Sequence, residues 1–375
     1  MKKNSGKLII SSSEKSSDIL YISKLHIPDE FIYVEIAGIN KKIIAVSSLE
    51  YSRAKNSGSA DCEVISYEEL CNGETADVEN SVIALIKKYS LQELAVPFDF
   101  PTGYYQLLKT NNVDINVVKG SFFPERLIKN NFELKQIALA QKLNEQTINY
   151  GISLLRESNV NDEKMLILDG EILTSERFKG ILNSFMVKRG GYCDTLIASC
   201  GAAAAEPHNT GNGPLYANQT IVIDNFPRLS SSHYWGDMTR TVVKGKASAM
   251  VNKAFNAVYE AKNCVLEKVR AGVAVKDLHE LAKNILVKNG FETYVHDNGC
   301  HVGFIHGLGH GLGLDIHEAP RVSSANDYIL EENTVITIEP GLYYPEWGGM
   351  RLEDLVVVKG NGCELLNNKE CILEI

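Results

Sequence analysis

The chain has 375 residues, with 47 acidic against 38 basic side chains, a net charge of −9 and an apolar fraction of 44%. That length is enough for two domains and a sizeable core. The acidic balance, without any basic tract interleaved with aromatic residues, argues against a nucleic-acid partner. No apolar run approaches the ~20 residues of a membrane-spanning helix, which argues against a membrane.

The amino terminus and the cysteines together predict a cytoplasmic protein. Met1-Lys2-Lys3 is a positively charged start, but the apolar middle and the cleavage site of an export signal do not follow it. The eight cysteines include no Cys-x-x-Cys pair, so they are expected to be reduced and without a chemical role.

Residues 1–127 are predicted to form a compact α/β domain. Apolar runs at 31–36 and 42–48 indicate strands, and residues 78–89 have apolar side chains at helical spacing. No dense cluster of catalytic residue types occurs in this domain. It is expected to contribute dimer contacts and to cover the active site.

Residues 128–375 are predicted to form a second domain that contains two related halves. Asn131 is the expected cap of its first helix. The predicted elements are helices at 132–158, 171–188, 249–269 and 275–289, and strands at 192–199, 219–226, 236–244, 293–305, 334–343 and 351–358. Helices followed by strands thus occur twice, and a cleft is expected between the halves.

Five side chains with metal-binding chemistry occur in this domain: Asp224, Asp237, His310, Glu339 and Glu353. Each carboxylate lies in a short apolar stretch, where burial is costly unless a cation or a donor neutralises the charge. Four clustered carboxylates would repel one another without about two divalent cations. Oxygen-rich ligation with one imidazole suits Mn²⁺, Co²⁺, Fe²⁺ or Zn²⁺, and paired ions of this kind activate water for hydrolysis.

The glycine-rich segment 306–318 partly resembles two other motifs. A phosphate-binding loop would require a following Lys-Ser/Thr pair, which the sequence lacks. His317-Glu318 begins like a His-Glu-x-x-His zinc motif, but Arg321 occupies the final position. Neither alternative fits.

Four short motifs carry a resemblance to a known family. They are Gly236-Asp237-Met238-Thr239-Arg240-Thr241, the segment 306–320, Ile338-Glu339-Pro340-Gly341, and Arg351-Leu352-Glu353-Asp354. With them the chain resembles the two-domain "pita-bread" metallopeptidases of family M24, the group of Xaa-Pro aminopeptidase (aminopeptidase P) and Xaa-Pro dipeptidase (prolidase), over residues 131–375. The resemblance implies an α+β fold: a creatinase-like α/β domain, then a catalytic domain of two pseudo-symmetric halves with helices packed on a curved antiparallel sheet.

The resemblance also implies a role for each metal-binding residue. Asp224 would bind one ion through both oxygens, and Asp237 and Glu353 would bridge two ions. His310 and Glu339 would complete the shell of the other ion. Glu339 would also accept a proton from the bridging water, as the general base.

Three histidines match substrate-handling positions of the family: His208, His306 and His317. They would hold the substrate carbonyl and the atoms around the proline nitrogen, and His317 is the better candidate for stabilising the oxyanion. An exposed loop histidine is the alternative interpretation of His208.

Two further residues are assigned to support of the ligands. Arg351 would steady Glu353 or its neighbour by a charge-assisted hydrogen bond, and Thr239 lies in the motif beside Asp237.

One departure from the family pattern concerns the turn between the aspartates. Phe226 stands where the family usually has glycine, and Asp224 and Asp237 are 237 − 224 = 13 positions apart. The departure falls at the rim of the expected pocket.

The resulting functional prediction is an aminopeptidase that releases the N-terminal residue from peptides with proline at the second position, by attack of a metal-bridging water or hydroxide. Two divalent ions, Mn²⁺ first and Co²⁺ or Zn²⁺ as alternatives, and a homodimer are expected. The alternatives are an Xaa-Pro dipeptidase and a non-catalytic peptide-binding protein. Methionine aminopeptidase shares the catalytic fold, but its chains usually lack the large N-terminal domain.

Overall fold

The structure is a computed structural model that describes residues 4–57, 62–296, 299–368 and 370–375. The chain divides into two compact units, Met1–Pro124 and Glu125–Ile375, which are described separately. Within the described residues, no helix combines the length and apolarity that crossing a membrane requires.

The first unit is an α/β unit built on one mixed sheet. Its elements are β1 (Asn4–Ser11), α1 (Ser17–Ser23), β2 (Phe31–Ile36), β3 (Lys41–Val46), α2 (Ser48–Asn56), β4 (Cys62–Ser66), α3 (Tyr67–Cys71), α4 (Val78–Tyr89), β5 (Leu91–Pro97), α5 (Thr102–Thr110) and β6 (Asp114–Val118). The strand order is β4-β3-β2-β1-β5-β6. Strands β1, β2 and β3 pair antiparallel, and the pairs β1–β5, β3–β4 and β5–β6 are parallel.

Local sequence explains the bounds of α4, the helix predicted at 78–89. The Asp77 side chain accepts a hydrogen bond from the Asn80 amide and begins the helix. Ser90 adopts a left-handed conformation with φ of 51° and ends it. Val82 and Leu85, three positions apart, are buried in the core of the unit. The predicted strands at 31–36 and 42–48 correspond to β2 and β3.

The second unit contains four long helices and many short strands. Its elements are α6 (Asn131–Glu157), β7 (Asn159–Val160), β8 (Leu166–Leu168), β9 (Glu171–Ile172), α7 (Ser175–Val187), β10 (Gly191–Tyr192), β11 (Ile197–Cys200), β12 (Thr220–Asn225), β13 (Arg228–Leu229), β14 (Met238–Val243), α8 (Ala249–Leu266), α9 (Val275–Lys288), β15 (Tyr294–Val295), β16 (His301–Val302), β17 (Gly309–Gly311), β18 (Glu318–Val322), β19 (Val335–Ile338), β20 (Gly341–Tyr344), β21 (Gly348–Arg351), β22 (Asp354–Lys359) and β23 (Gly362–Leu365).

Two helix-and-sheet halves make up this unit, as the sequence predicted. Helices α6 and α7 pack on the sheet β11-β12-β14, and α8 and α9 pack on the sheet β18-β17-β19-β22-β23. The halves join through hydrogen bonds between the segments 239–241 and 351–353. The Glu353 amide donates to the Thr239 carbonyl at 3.1 Å, and the Thr241 hydroxyl donates to the Arg351 carbonyl at 2.9 Å.

The predicted cap of α6 is wrong by one residue. The Asn130 side chain, rather than Asn131, accepts hydrogen bonds from the amides of Phe132 and Glu133. The Glu133 carboxylate in turn accepts from the Asn130 amide, which completes a capping box. Asn130 and Asn131 are adjacent and both suit a helix cap. The reciprocal hydrogen bonds with Glu133 show that Asn130 is the capping residue.

Three predicted strands are broken in the structure. The strand predicted at 192–199 is divided into β10 and β11, which pair with different strands, β13 and β12. The strand predicted at 293–305 is a short hairpin of β15 and β16, and residues 297–298 lie outside the described chain. Gly299 and Gly303 have φ of 84° and 97°, outside the range of extended backbone. The strand predicted at 334–343 is interrupted between β19 and β20, where Pro340 has no amide hydrogen for continued pairing.

Candidate metal centre

The five predicted ligands all line one cavity of about 950 Å³ in the second unit. Asp224 lies in β12 and His310 is the central residue of β17. The other three lie at strand ends: Asp237 directly before β14, Glu339 directly after β19 and Glu353 directly before β22. At a strand end the paired strands fix the backbone, while the side chain is not committed to packing on either face of the sheet.

Four of the five side chains approach one another closely. Ligand atoms of Asp237, His310 and Glu353 all lie within 4.8 Å of each other. His310 Nε2 is 3.5 Å from Asp237 Oδ2 and 3.5 Å from Glu339 Oε1. Asp224 lies close enough for its charge to raise the pKa of Asp237, Glu339 and Glu353, after the larger effect of burial, and it also pairs with Arg351.

The electrostatics of the cluster fit bound cations. Burial, followed by repulsion from neighbouring carboxylates, raises the pKa of Asp237 and of Glu353 well above the ordinary values. Burial also raises the pKa of Glu339 to about 7. Asp224 Oδ1 is buried without a hydrogen-bond partner among the described residues. Divalent cations would relieve both the repulsion and the unsatisfied oxygen, so this donor set fits them.

His310 is oriented for coordination through one nitrogen. Its Nδ1 lies 3.0 Å from the Gly311 carbonyl oxygen, and because a carbonyl only accepts, Nδ1 must carry the hydrogen. Nε2 then has a free lone pair directed at the carboxylates. Burial lowers the pKa of His310 to about 3, which keeps the ring neutral. A β-carbon at Gly309 or Gly311 would overlap a carbonyl oxygen of the neighbouring strands, so only glycine permits this packing.

Arg351 pairs with Asp224, whereas the expected partner was Glu353 or its neighbour. Its Nη2 donates to Asp224 Oδ2 at 2.7 Å. Its Nε donates to the Thr239 hydroxyl at 3.1 Å, and that hydroxyl donates to Glu353 Oε2 at 2.8 Å. Arg351 therefore reaches Glu353 only through Thr239. Its Nη1 also donates to the Tyr343 hydroxyl at 2.7 Å.

The three predicted substrate histidines line the same cavity. His306 Nε2 is 2.9 Å from the Tyr343 hydroxyl, and burial, followed by the charge of Arg351, lowers the pKa of His306 to about 3. The His317 ring meets the His310 ring edge-to-face at 4.4 Å, and burial lowers its pKa as well. His208 is exposed on its loop.

The departure at residue 226 falls on the cavity wall. Asp224 pairs with Ile197 across β11 and β12, and alternate residues of a strand face the same side. Phe226, two positions after Asp224, accordingly lines the cavity together with Ile197. Its ring packs 6.4 Å from that of Trp235, so the lengthened turn contributes an aromatic wall.

One functional candidate was missed from the sequence. Arg321 lines the cavity, is exposed, and makes no ion pair with any acidic side chain in the described part of the chain. Arg321 stands four residues after His317, where a zinc motif would need its second histidine. That position excluded the motif, and nothing else in the sequence indicated a role for Arg321. Its positive charge lowers the pKa of His310 and of His317, after the larger effects of burial.

A buried ion cluster holds the loop that carries His317. Glu318 accepts hydrogen bonds from Lys129 at 2.7 Å, from Arg126, and from the amide of Leu314 at 2.9 Å. Glu318 and Lys129 side chains are only 7% and 4% exposed. Burial alone would raise the pKa of Glu318, but the charges of Lys129 and Arg126 outweigh it and lower that pKa.

Replacing this carboxylate should change the pH dependence of stability. The pKa of Glu318 is lower in the folded chain, so its stabilisation is present above the unfolded pKa of ~4.3 and disappears as pH falls through the folded pKa. Glu318→Gln should lower the free energy of unfolding at pH 7 by about 3 kcal/mol and by less in acid. Urea unfolding at several pH values measures this. Asp315→Asn, which alters a half-exposed partner of Arg126, is the control. Parallel pH profiles for the wild type and Glu318→Gln would contradict the assignment.

Comparison with known proteins identifies the class of the chain. The sequence profile of metallopeptidase family M24 matches residues 135–360. The chain therefore belongs to metallopeptidase family M24. It is 30% identical over 286 residues to a Pyrococcus horikoshii protein named Xaa-Pro dipeptidase, which covers 75% of this chain and 74% of that protein. A Staphylococcus aureus protein named as an uncharacterized peptidase is 34% identical over 246 residues, covering 65% of this chain and 64% of the relative's length.

Solved structures share the fold along nearly the whole chain. The Pyrococcus horikoshii prolidase structure has a TM-score of 0.81 at 25% identity and covers 99% of this chain and 95% of its own. The X-Pro aminopeptidase structure from Thermotoga maritima has a TM-score of 0.81 at 23% identity and covers 99% and 98%. The predicted fold, an N-terminal α/β domain followed by a pita-bread domain, is confirmed.

Proposed function

We propose that this chain is a metal-dependent peptidase that hydrolyses the bond before proline and releases the N-terminal residue of the peptide. The observation that carries the proposal is the convergence of four buried or half-buried carboxylates and one neutral histidine in a single cavity. Family membership and the names of the relatives support the reaction class. A non-catalytic peptide-binding protein would have no use for so costly a cluster of buried charge.

Two divalent ions would be held by the five predicted ligands, Asp224, Asp237, His310, Glu339 and Glu353. Mn²⁺ is the first candidate and Co²⁺ or Zn²⁺ are the alternatives, because one imidazole accompanies oxygen donors. When bound, such ions supply Lewis-acid polarisation of the scissile carbonyl and lower the pKa of water. Asp237 and Glu353 would each help to hold both ions.

The chain's own residues would bind the peptide and move the proton. Glu339 is the carboxylate assigned to accept the proton of the attacking water and then give it up. His317 is neutral and can donate a hydrogen bond to the carbonyl oxygen of the substrate, which strengthens as that oxygen gains charge. His306 and His208 are assigned to the atoms around the proline nitrogen.

Proline selectivity should be measurable as a ratio of rates. The bond before proline is a tertiary amide without an N–H, so a pocket shaped for the pyrrolidine ring selects it without needing that donor. We expect kcat/KM for Xaa-Ala-Yaa to be at least ~10-fold below that for Xaa-Pro-Yaa, about 1.4 kcal/mol in transition-state binding. Both peptides are assayed with the same Xaa and Yaa. Comparable rates would refute the selectivity.

A second candidate, an Xaa-Pro dipeptidase, is favoured by Arg321. Its guanidinium has no acidic partner among the described residues and lines the cavity, where it would suit the free carboxylate of a dipeptide. Arg321→Met should then raise KM for Xaa-Pro by at least ~10-fold and leave Xaa-Pro-Yaa within about twofold, and Arg321→Lys should retain part of the effect. Cleavage of the tripeptide but not the dipeptide by the wild type would reject this candidate.

The proposal extends to assembly and location. The chain would form a homodimer and act in the cytoplasm, as the sequence predicts. Its substrates would be peptides with proline at position two. Light scattering of the purified chain should give twice the 41.5 kDa chain mass. A mass of one chain at micromolar concentration would reject the dimer.

A further inference from the structure

Helix α6 directs two buried amide side chains at the strands that carry the aspartates. Gln141 and Asn144 are three positions apart, which places them on one face of the helix. Both are completely buried, with 0% of their surface exposed. A buried amide is costly unless its donors and acceptors are all engaged, so their partners are informative.

Gln141 takes the place of a neighbouring strand at Asp237. The pairing of β12 with β14 ends where Asn225 meets Met238, one residue short of Asp237. There the Asp237 amide donates to Gln141 Oε1 at 2.7 Å, and Gln141 Nε2 donates to the Asp237 carbonyl at 2.9 Å. One side chain thus satisfies both main-chain groups of a ligand residue, as a paired strand would do.

Asn144 holds the other aspartate strand in a similar way. Its Nδ2 donates to the main-chain carbonyl of Asn225, the residue after Asp224. The Asn225 side chain donates back to Asn144 Oδ1 at 2.7 Å. Helix α6 is therefore hydrogen-bonded beside both aspartates, through two residues on one of its faces.

The helix and the aspartate segment are in direct contact. A β-carbon added at Gly236 would lie 2.7 Å from the Ala140 carbonyl carbon and 2.7 Å from the Gln141 amide nitrogen, closer than a side chain permits. The chain between the aspartates also leaves their own sheet, because β13 pairs with β10. The contacts of helix α6 therefore add to the hydrogen bonds within the turn, such as that from the Gly236 amide to the Pro227 carbonyl at 2.9 Å.

The same amide extends to the third acidic segment. Gln141 Nε2 also donates to Asn367 Oδ1 at 3.0 Å, and Asn367 Oδ1 accepts from the Leu355 amide at 3.0 Å. Asn367 Nδ2 donates to Asp354 Oδ1 at 2.8 Å, next to the ligand Glu353. The chain segments that carry Asp237 and Glu353 are thus connected by amide hydrogen bonds.

We infer that Gln141 and Asn144 are positioning residues of the metal centre, and that helix α6 sets the spacing of Asp224 and Asp237. Neither amide touches the substrate cavity or the ligand atoms, so their action is through the backbone of the ligand segments. The inference rests on the proposed metal site but not on the peptidase reaction. Its test can therefore be made on metal binding, without substrate.

The test replaces Gln141 by methionine, which has nearly the same shape and no amide. Gln141→Met should weaken Mn²⁺ binding at least ~10-fold in equilibrium dialysis, the scale of lost support behind a metal ligand. The Co²⁺-loaded variant should also show a changed absorption spectrum. Thr147→Val is the matched control, because Thr147 is fully buried on α6 and its hydroxyl donates to the Leu143 carbonyl within the helix. Thr147→Val should lower the thermal stability of the metal-free chain and leave its Mn²⁺ affinity within about twofold of that of the wild type.

The outcomes separate positioning from general stability. If Gln141→Met does not fold, Gln141→Asn, which keeps the amide but is one methylene shorter, takes its place with the same readouts. Unchanged Mn²⁺ affinity in the Gln141 variant, or an equal loss in Thr147→Val, would overturn the inference. A wild type that binds no Mn²⁺ would overturn the proposed metal site itself and the inference with it.

Discussion

Glu339→Gln is expected to lower kcat on an Xaa-Pro-Yaa peptide by at least ~10²-fold, the scale of a lost general base. Glutamine keeps the shape of the side chain and one coordinating oxygen, but it cannot accept the proton. Glu339 Oε1 lies 3.5 Å from His310 Nε2, so the group is at the centre of the ligand cluster. The measurement is kcat at saturating metal, with the metal content of the variant determined in parallel.

The control for this substitution is Glu332→Gln. Glu332 is exposed and lies outside the cavity, so its loss should leave kcat within about twofold of the wild type. If Glu339→Gln binds both metals and turns over at nearly the wild-type rate, the proton acceptor is a different group.

Removal of metal is expected to abolish hydrolysis, and Mn²⁺ or Co²⁺ should restore it best. Without cations the buried carboxylates repel one another. Burial, followed by this repulsion, raises the pKa of Asp237 and of Glu353 well above the ordinary values. The measurement is the rate on Xaa-Pro-Yaa after dialysis against a chelator and after return of each ion. Mg²⁺ is the comparison ion, because it prefers an all-oxygen shell and His310 would not suit it. Full activity of the stripped chain would reject a metal-dependent mechanism.

The five residues that meet in the cavity could be predicted because the information is local. Each carboxylate stands in an apolar run that is long enough to indicate a strand, and three of them lie at the ends of those strands. The helices α8 and α9 were predicted closely for the same reason, since their apolar residues recur at helical spacing. Periodicity also gave the repeated order of helices and strands.

What escaped prediction depends on contacts between distant parts of the chain. The bonds from Gln141 to Asp237 join residues 96 positions apart, and no spacing in the sequence indicates them. The preference of Arg351 for Asp224 over Glu353 is likewise decided by how the two sheets meet. The broken strand at 293–305 was missed because an apolar run does not reveal the positive φ of Gly299 and Gly303.

The most direct test of the account is a titration of the metal-stripped chain with Mn²⁺, in which bound ions are counted and hydrolysis of one Xaa-Pro-Yaa peptide is followed in the same samples. The account predicts that the rate rises with occupancy and reaches its plateau when close to two ions are bound per chain. A full rate with no ion bound, or two ions bound without hydrolysis of any peptide that contains an Xaa-Pro bond, would contradict it.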